Sequence, residues 1–150
     1  MTKTTRTLQT KALGQVSVES EQILDFAEGL YGFREFTEFA LVEEGEENPF
    51  KWLQSTAEPD LAFIVIQPEL ILKDYDPDIA KEDLIPIGLD SVRDALVFLI
   101  VTIPENEPEK MTANLQGPIL INKKSKKARQ AISLNEDHSV RLPLLAAMES

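Results

Sequence analysis

The chain is 150 residues long, 43% hydrophobic and 27% charged, with a formal net charge of -11. That length can bury roughly two-thirds of an unfolded chain's surface in one core, so residues 1–150 read as a single domain and not as a disordered segment. The absence of cysteine excludes disulfides, thiolate nucleophiles and cysteine-held metals, and fits a reducing compartment.

In chain order, Met1 to Thr10 is polar and threonine-rich, without the apolar stretch of a secretory signal, and is expected to fray. Gly14 to Val18 alternates with the period of a strand. Ile23, Leu24 and Phe26 lead into Glu28-Gly29-Leu30-Tyr31-Gly32-Phe33, where two glycines three apart suggest a turn needing positive φ or close backbone passage. Phe33, Phe36 and Phe39 have the spacing of a helical turn or of a packed aromatic loop. Phe39 to Val42 reads as a short strand. It ends in Glu43-Glu44-Gly45-Glu46-Glu47, whose four carboxylates require a surface loop or hairpin tip.

Phe50 to Ser55 carries the single tryptophan, Trp52, beside Phe50 and Leu53, which suits core filling or an interface anchor. Leu61 to Ile66 is β-branched and aromatic and is stopped by Pro68, the pattern of a central strand. Asp76-Pro77 could cap a helix, although Lys81 to Leu84 allows only one or two turns, and Asp90 could cap a short turn. Ala95 to Ile103 is too short for a membrane helix and suits a buried strand. Pro118 makes Ile119 to Ile121 an edge strand or marks its first position. Ala131 to Leu134 and Val140 to Leu142 close the pattern. Short strands separated by Pro, Gly and acidic turns predict an all-β fold, a small antiparallel barrel-like or sandwich domain with short helical turns.

Charge is unevenly distributed. Residues 1–122 carry 23 acidic and 9 basic side chains, whereas residues 123–150 carry 6 basic and 3 acidic. The acidic body disfavours direct nucleic-acid binding and favours a basic partner. The run Lys123, Lys124, Lys126, Lys127 and Arg129 is a local exception, read as a solvated turn or edge, with a protein or RNA contact second.

No catalytic constellation stands out. Zinc lacks ligands, since His138 is the single histidine, and Asp74, Asp76 and Asp78 lack the glycine and terminal glutamate of a calcium loop. His138, in Glu136-Asp137-His138-Ser139, reads as a surface or turn residue. No phosphate loop or nucleophile elbow is present. Asn114, Gln116 and Asn122 flank Gly117-Pro118, where their amides would satisfy backbone groups or meet a partner.

Five stretches together resemble a known family. They are Phe26 to Phe33, Pro49 to Ser55, Asp60 to Pro68, Thr112 to Asn122, and Gln130-Ala131-Ile132 leading to Ser139 to Leu144. In this order and spacing the chain resembles the flagellar assembly factor FliW family over residues 12–145. It departs from the family pattern at His138, where an aromatic is usual, at Gly117, where alanine is frequent, and at Tyr31, where proline is frequent. The resemblance implies a cytoplasmic, non-catalytic β-barrel protein with no cofactor. Its implied partners are flagellin, bound in a chaperone-like manner through an amphipathic terminus, and CsrA, a basic RNA-binding translational repressor that the factor antagonises. Binding flagellin and CsrA in turn would couple flagellin export to flagellin translation.

The residues expected to meet partners are Phe33, Phe36 and Trp52 as apolar anchors and Glu43, Glu44, Glu46 and Glu47 as steering charges. Asn114, Gln116 and Asn122 are the polar candidates. The competing readings are a small carboxylate-dependent enzyme, a structural domain assembling through an edge at Ile119 to Ile121, and an RNA binder using Lys123 to Arg129.

Overall fold

The computed structural model describes residues 5–28, 30–45 and 47–149. Eleven strands lie among these residues: β1 Thr5–Thr10, β2 Gly14–Glu19, β3 Ile23–Asp25, β4 Glu38–Glu43, β5 Phe50–Ser55, β6 Ala62–Ile66, β7 Leu96–Thr102, β8 Thr112–Ala113, β9 Ile119–Ile121, β10 Ala128–Gln130 and β11 Leu142–Pro143. Two short helices, α1 Lys81–Leu84 and α2 Leu144–Glu149, accompany several single 3₁₀ turns.

Seven strands form the path β10-β9-β7-β6-β5-β4-β3, every neighbour antiparallel. The path closes on itself. Asp25 and Lys127 form a parallel bridge, and the Asp25 N–H donates to the Lys126 carbonyl at 2.9 Å, joining β3 to the start of β10. The result is a small barrel, all-β as the short-strand pattern predicts. Its interior holds Leu24, Phe39, Leu53, Val65, Phe98 and Ile119, one parity of each strand.

The outward parity is also covered, by three separate flaps. The β1–β2 hairpin lays Leu8 and Val18 over Ala40 and Val42 of β4. Ile71, Leu115 and Leu144 of α2 cover Ile66 and Leu99. Leu84 of α1, with Ile87 and Leu89, covers Leu120 of β9. A strand buried on both faces needs no polar alternation, which is why 61–66 and 95–103 read as continuous apolar runs. Gln54 is fully buried on the outer face of β5, where its Nε2 donates to the Ser55 and Leu61 carbonyls at 3.0 and 3.1 Å. Its Oε1 has no hydrogen-bond partner among the described residues.

Four expectations are corrected. The frayed N-terminal segment is, from Thr5 onward, a full strand with six register pairs to β2, because Leu8 has an apolar floor to cover; residues 1–4 lie outside the described residues. Ile119–Ile121 is not an edge: β7 and β10 flank it, and Pro118 stands immediately before its first residue, where no ladder donor is lost. Neither Asp76 nor Asp90 caps a helix. Ala80 precedes α1 without a side-chain cap, and Ser91 accepts from the Arg93 N–H at the 3₁₀ turn Val92–Asp94. His138 closes a turn, its N–H donating to the Asn135 carbonyl at 3.1 Å, but it is not a surface residue; only 9% of it is exposed.

Candidate protein-interaction surface

One end of the barrel is closed by aromatics. Gly32 takes φ +87°, as the glycine spacing predicts for this turn, while Gly29 lies outside the described residues. The turn hydrogen-bonds Phe33 N–H to the Leu30 carbonyl at 2.8 Å and places the Phe33 ring edge-on to Phe63, centroids 5.3 Å apart. Phe63 meets Phe39 at 6.2 Å, and Phe39 meets Phe26 at 5.4 Å. Phe36 is half-buried against the same core. Whereas Phe36 is mostly packed, Phe33 is 36% exposed although its ring meets Phe63, so it both caps this end and presents apolar surface to solvent. Tyr31 is exposed beside it, with the Arg34 guanidinium 5.7 Å from its ring centroid.

The acidic residues lie at the opposite end. β4 runs from Phe39 at the plug to Glu43, so the β4–β5 hairpin tip stands beyond the other rim. Glu43 pairs with Lys51 at 3.0 Å, and Glu44 accepts from the Trp52 indole N–H. Glu47 is exposed, and Glu46 lies outside the described residues. Trp52 faces outward from β5 and packs, partly buried, beside the β1–β2 hairpin. The expected anchors therefore do not converge: Phe33 and Phe36 sit at one end, while Trp52, Glu43, Glu44 and Glu47 sit on the side and tip of the hairpin.

The amide residues are turn builders. Asn114 Oδ1 accepts from the Gln116 and Gly117 N–H groups, both at 3.0 Å. Asn122 Oδ1 accepts from Lys124 N–H at 3.0 Å, and its Nδ2 donates to the Ile87 carbonyl at 2.8 Å, tying the β9–β10 turn to the flap after α1. Gln116 is exposed, and its carbonyl accepts from Ser133 N–H at 2.7 Å.

Two features escaped the sequence reading. The first is a buried polar cluster. His138 Nδ1 lies 2.8 Å from Ser133 Oγ, its ring centroid is 4.7 Å from that of Tyr75, and the Tyr75 hydroxyl donates to the Leu115 carbonyl at 2.6 Å. Burial holds the Tyr75 phenol well above its ordinary range. Above this cluster Ile132 and Leu134 are exposed on either side of buried Ser133, an alternation visible in Ala131 to Leu134. The second is the open barrel end. A cavity of about 470 Å³ reaches the inward-facing Leu24, Leu41, Leu96 and Ile121, with Glu19, Glu21, Lys123 and Lys126 among its walls. Leu24 and Lys126 also line an adjoining cavity of about 580 Å³ with Arg6 and Glu38. Hydrogen bonds from Thr56 and then Arg6 hold the Glu38 carboxyl below the usual carboxylate range.

The FliW protein family model matches residues 7–144. The chain belongs to the FliW family. The flagellar assembly factor FliW of Leptospira biflexa serovar Patoc is 56% identical over 143 residues, covering 95% of this chain and 94% of that protein. The flagellar assembly factor FliW of Treponema denticola is 48% identical over 144 residues, covering 93% and 97%. A crystal structure of the flagellar assembly factor FliW superposes with a TM-score of 0.82 at 29% identity, covering 93% of this chain and 96% of that one. The plugged barrel is thus a FliW fold, and its open end and hairpin belong to a FliW surface.

Proposed function

We propose that this FliW-family chain acts in flagellar assembly as a non-catalytic protein that binds flagellin and the basic translational repressor CsrA, and so links flagellin supply to flagellin translation. The observation that carries the reading is the family match across residues 7–144, with curated relatives named as flagellar assembly factors. The net charge of -11 supports it further, because an acidic body speeds encounter with a basic protein and keeps RNA at a distance. Among the described residues no helix is long and apolar enough to cross a membrane, which is compatible with work in the cytoplasm. Among them, too, no group of three or more His, Asp or Glu could hold a metal ion.

Isothermal titration of the purified chain with the CsrA dimer, repeated after saturation with flagellin, tests the proposal. Binding to CsrA that flagellin suppresses is the expected result. Heat flow in neither titration would overturn the reading.

A further inference from the structure

Three segments outside the seven barrel strands meet at Ser133. The loop of residues 72–79 reaches it through the Ile79–Ser133 bridge and through Leu134 N–H, which donates to the Asp78 carbonyl at 2.7 Å. The 114–117 turn reaches it through Ser133 N–H, which donates to the Gln116 carbonyl at 2.7 Å. The 135–139 turn folds back over it and sets His138 Nδ1 2.8 Å from Ser133 Oγ. The donors and acceptors around that oxygen fix the state of the imidazole. A hydroxyl has one hydrogen to give and two lone pairs to receive with. Ser133 Oγ accepts from Asp78 N–H and from Asn135 N–H, both at 3.3 Å, which uses both lone pairs. Its own hydrogen therefore goes to His138 Nδ1, so the ring is neutral and carries its proton on Nε2. A second ring proton would make Nδ1 a donor facing an oxygen with no lone pair left. Asp78 N–H or Asn135 N–H would then have to release Oγ, and each belongs to a segment that the serine ties down.

We infer that Ser133 and His138 form a proton-sensitive clamp, which holds the 72–79 loop against the 133–139 segment while the ring is neutral and releases it when Nδ1 gains a proton. Imidazole is the side chain whose charge ordinarily changes between about pH 5 and 8. Lowering the pH through that range opens the clamp, and raising it closes the clamp again. Tyr75, whose ring centroid is 4.7 Å from that of His138, keeps its proton throughout, because burial holds the phenol well above that range. The charged groups on the packed segments are Lys73, Asp74, Asp76 and Asp78 on the loop and Glu136 and Asp137 on the turn, all exposed. Among the described residues none of them pairs with His138, and residues 114–117 carry no charge. The surface under the clamp's control is apolar, since Ile132 and Leu134 stand exposed on either side of Ser133.

Because His138 is the only histidine, NMR reads its ring nitrogens without ambiguity. The experiment follows those nitrogen shifts in the full chain from about pH 7.5 to about pH 5. Alongside, it measures amide protection factors, with the intrinsic pH dependence of exchange divided out, at Asp78, Leu134 and Asn135. The H138N variant is taken through the same series, since its amide oxygen can accept from Ser133 but does not titrate. A ring protonated on Nε2 is expected at the upper end, with protection at the three amides falling by about tenfold in step with the ring's titration. Barrel amides such as those of Leu53 and Val65 should hold their protection. H138N should show the same protection at both ends of the series, whatever its absolute level. A neutral ring protonated on Nδ1, a ring that does not titrate by about pH 5, or protection that stays flat while the ring titrates overturns the clamp. An equal acid loss in H138N overturns it too, by assigning the effect to the carboxylates. Should H138N not fold, the wild-type titration decides alone.

Discussion

Gly117 shows how tightly the plug end is tied to the rest of the molecule. A Cβ built there would lie 2.9 Å from Gln130 Nε2 and 3.0 Å from Asn114 Nδ2. Gln130 cannot give way without cost: its Nε2 donates to the Gly117 carbonyl at 3.1 Å, and its Oε1 accepts from Tyr31 N–H at 3.0 Å, holding the aromatic turn. G117A is therefore expected to destabilise the fold by about 1–3 kcal/mol, as overpacking does. Chemical denaturation measures this directly. The Q130A change removes the clashing amide together with its two bonds, so the double variant should be less destabilised than the sum of the singles. Strict additivity would show that Gln130 is not what the new methyl meets. Here the glycine and the Gln130 amide form one arrangement. This coupling was not legible in the sequence, because residues 117 and 130 reveal a shared site only once β9 and β10 are paired. His138 was misread for the same reason. Its immediate neighbours in sequence are polar, whereas Ser133, bridged to Ile79, and Tyr75 in the loop before that bridge pack on it only once the fold brings them together.

Among the elements, the β1–β2 hairpin is the flap whose removal would expose the most informative probe. Leu8 and Val18 are buried against Ala40 and Val42, and Trp52 packs partly exposed at the margin of that cluster. L8A should cost about 2–5 kcal/mol, the usual range for a buried leucine. Because Trp52 is the only tryptophan, its emission should shift to the red as the flap loosens. Equal stability loss with unchanged emission would place Trp52 outside the hairpin's cover. The strands that could be read from sequence were those with enough apolar residues to fill both faces, at 61–66 and 95–103. β10 was hidden because Lys126, Lys127 and Arg129 dominate its stretch, although Ala128 and Gln130 are the buried positions. β1 was hidden because a strand that covers another sheet needs only one apolar residue every several positions, and Leu8 supplies it. α2 was missed because its anchor, Leu144, stands at the very start of a short apolar run that equally suits a strand end.

For the whole molecule the governing quantity is the field of the acidic body, and the β4–β5 hairpin projects it. Its carboxylates differ in what they are free to do. Glu43 is committed to Lys51, whereas Glu44 meets the edge of an indole and Glu47 is exposed. Reversing Glu44 and Glu47 to lysine leaves the Glu43–Lys51 pair and every buried residue in place, and moves the net charge from -11 to -7. Trp52 loses an acceptor at a site where water can replace it. The fold should thus survive with a stability change within about 0.5 kcal/mol, as for other surface substitutions. Encounter with the basic repressor should slow, by about three- to tenfold at low salt, while dissociation changes little, because exposed charges act on the approach more than on the docked complex. Raising the salt shrinks the Debye length below about 10 Å and should bring the two association rates together. Stopped-flow mixing with CsrA across a salt series measures all of this at once. Equal rates at low salt would remove the hairpin as the steering element. A deficit that persists at high salt would mean instead that Glu44 or Glu47 is part of the docked contact, placing the repressor on the hairpin itself.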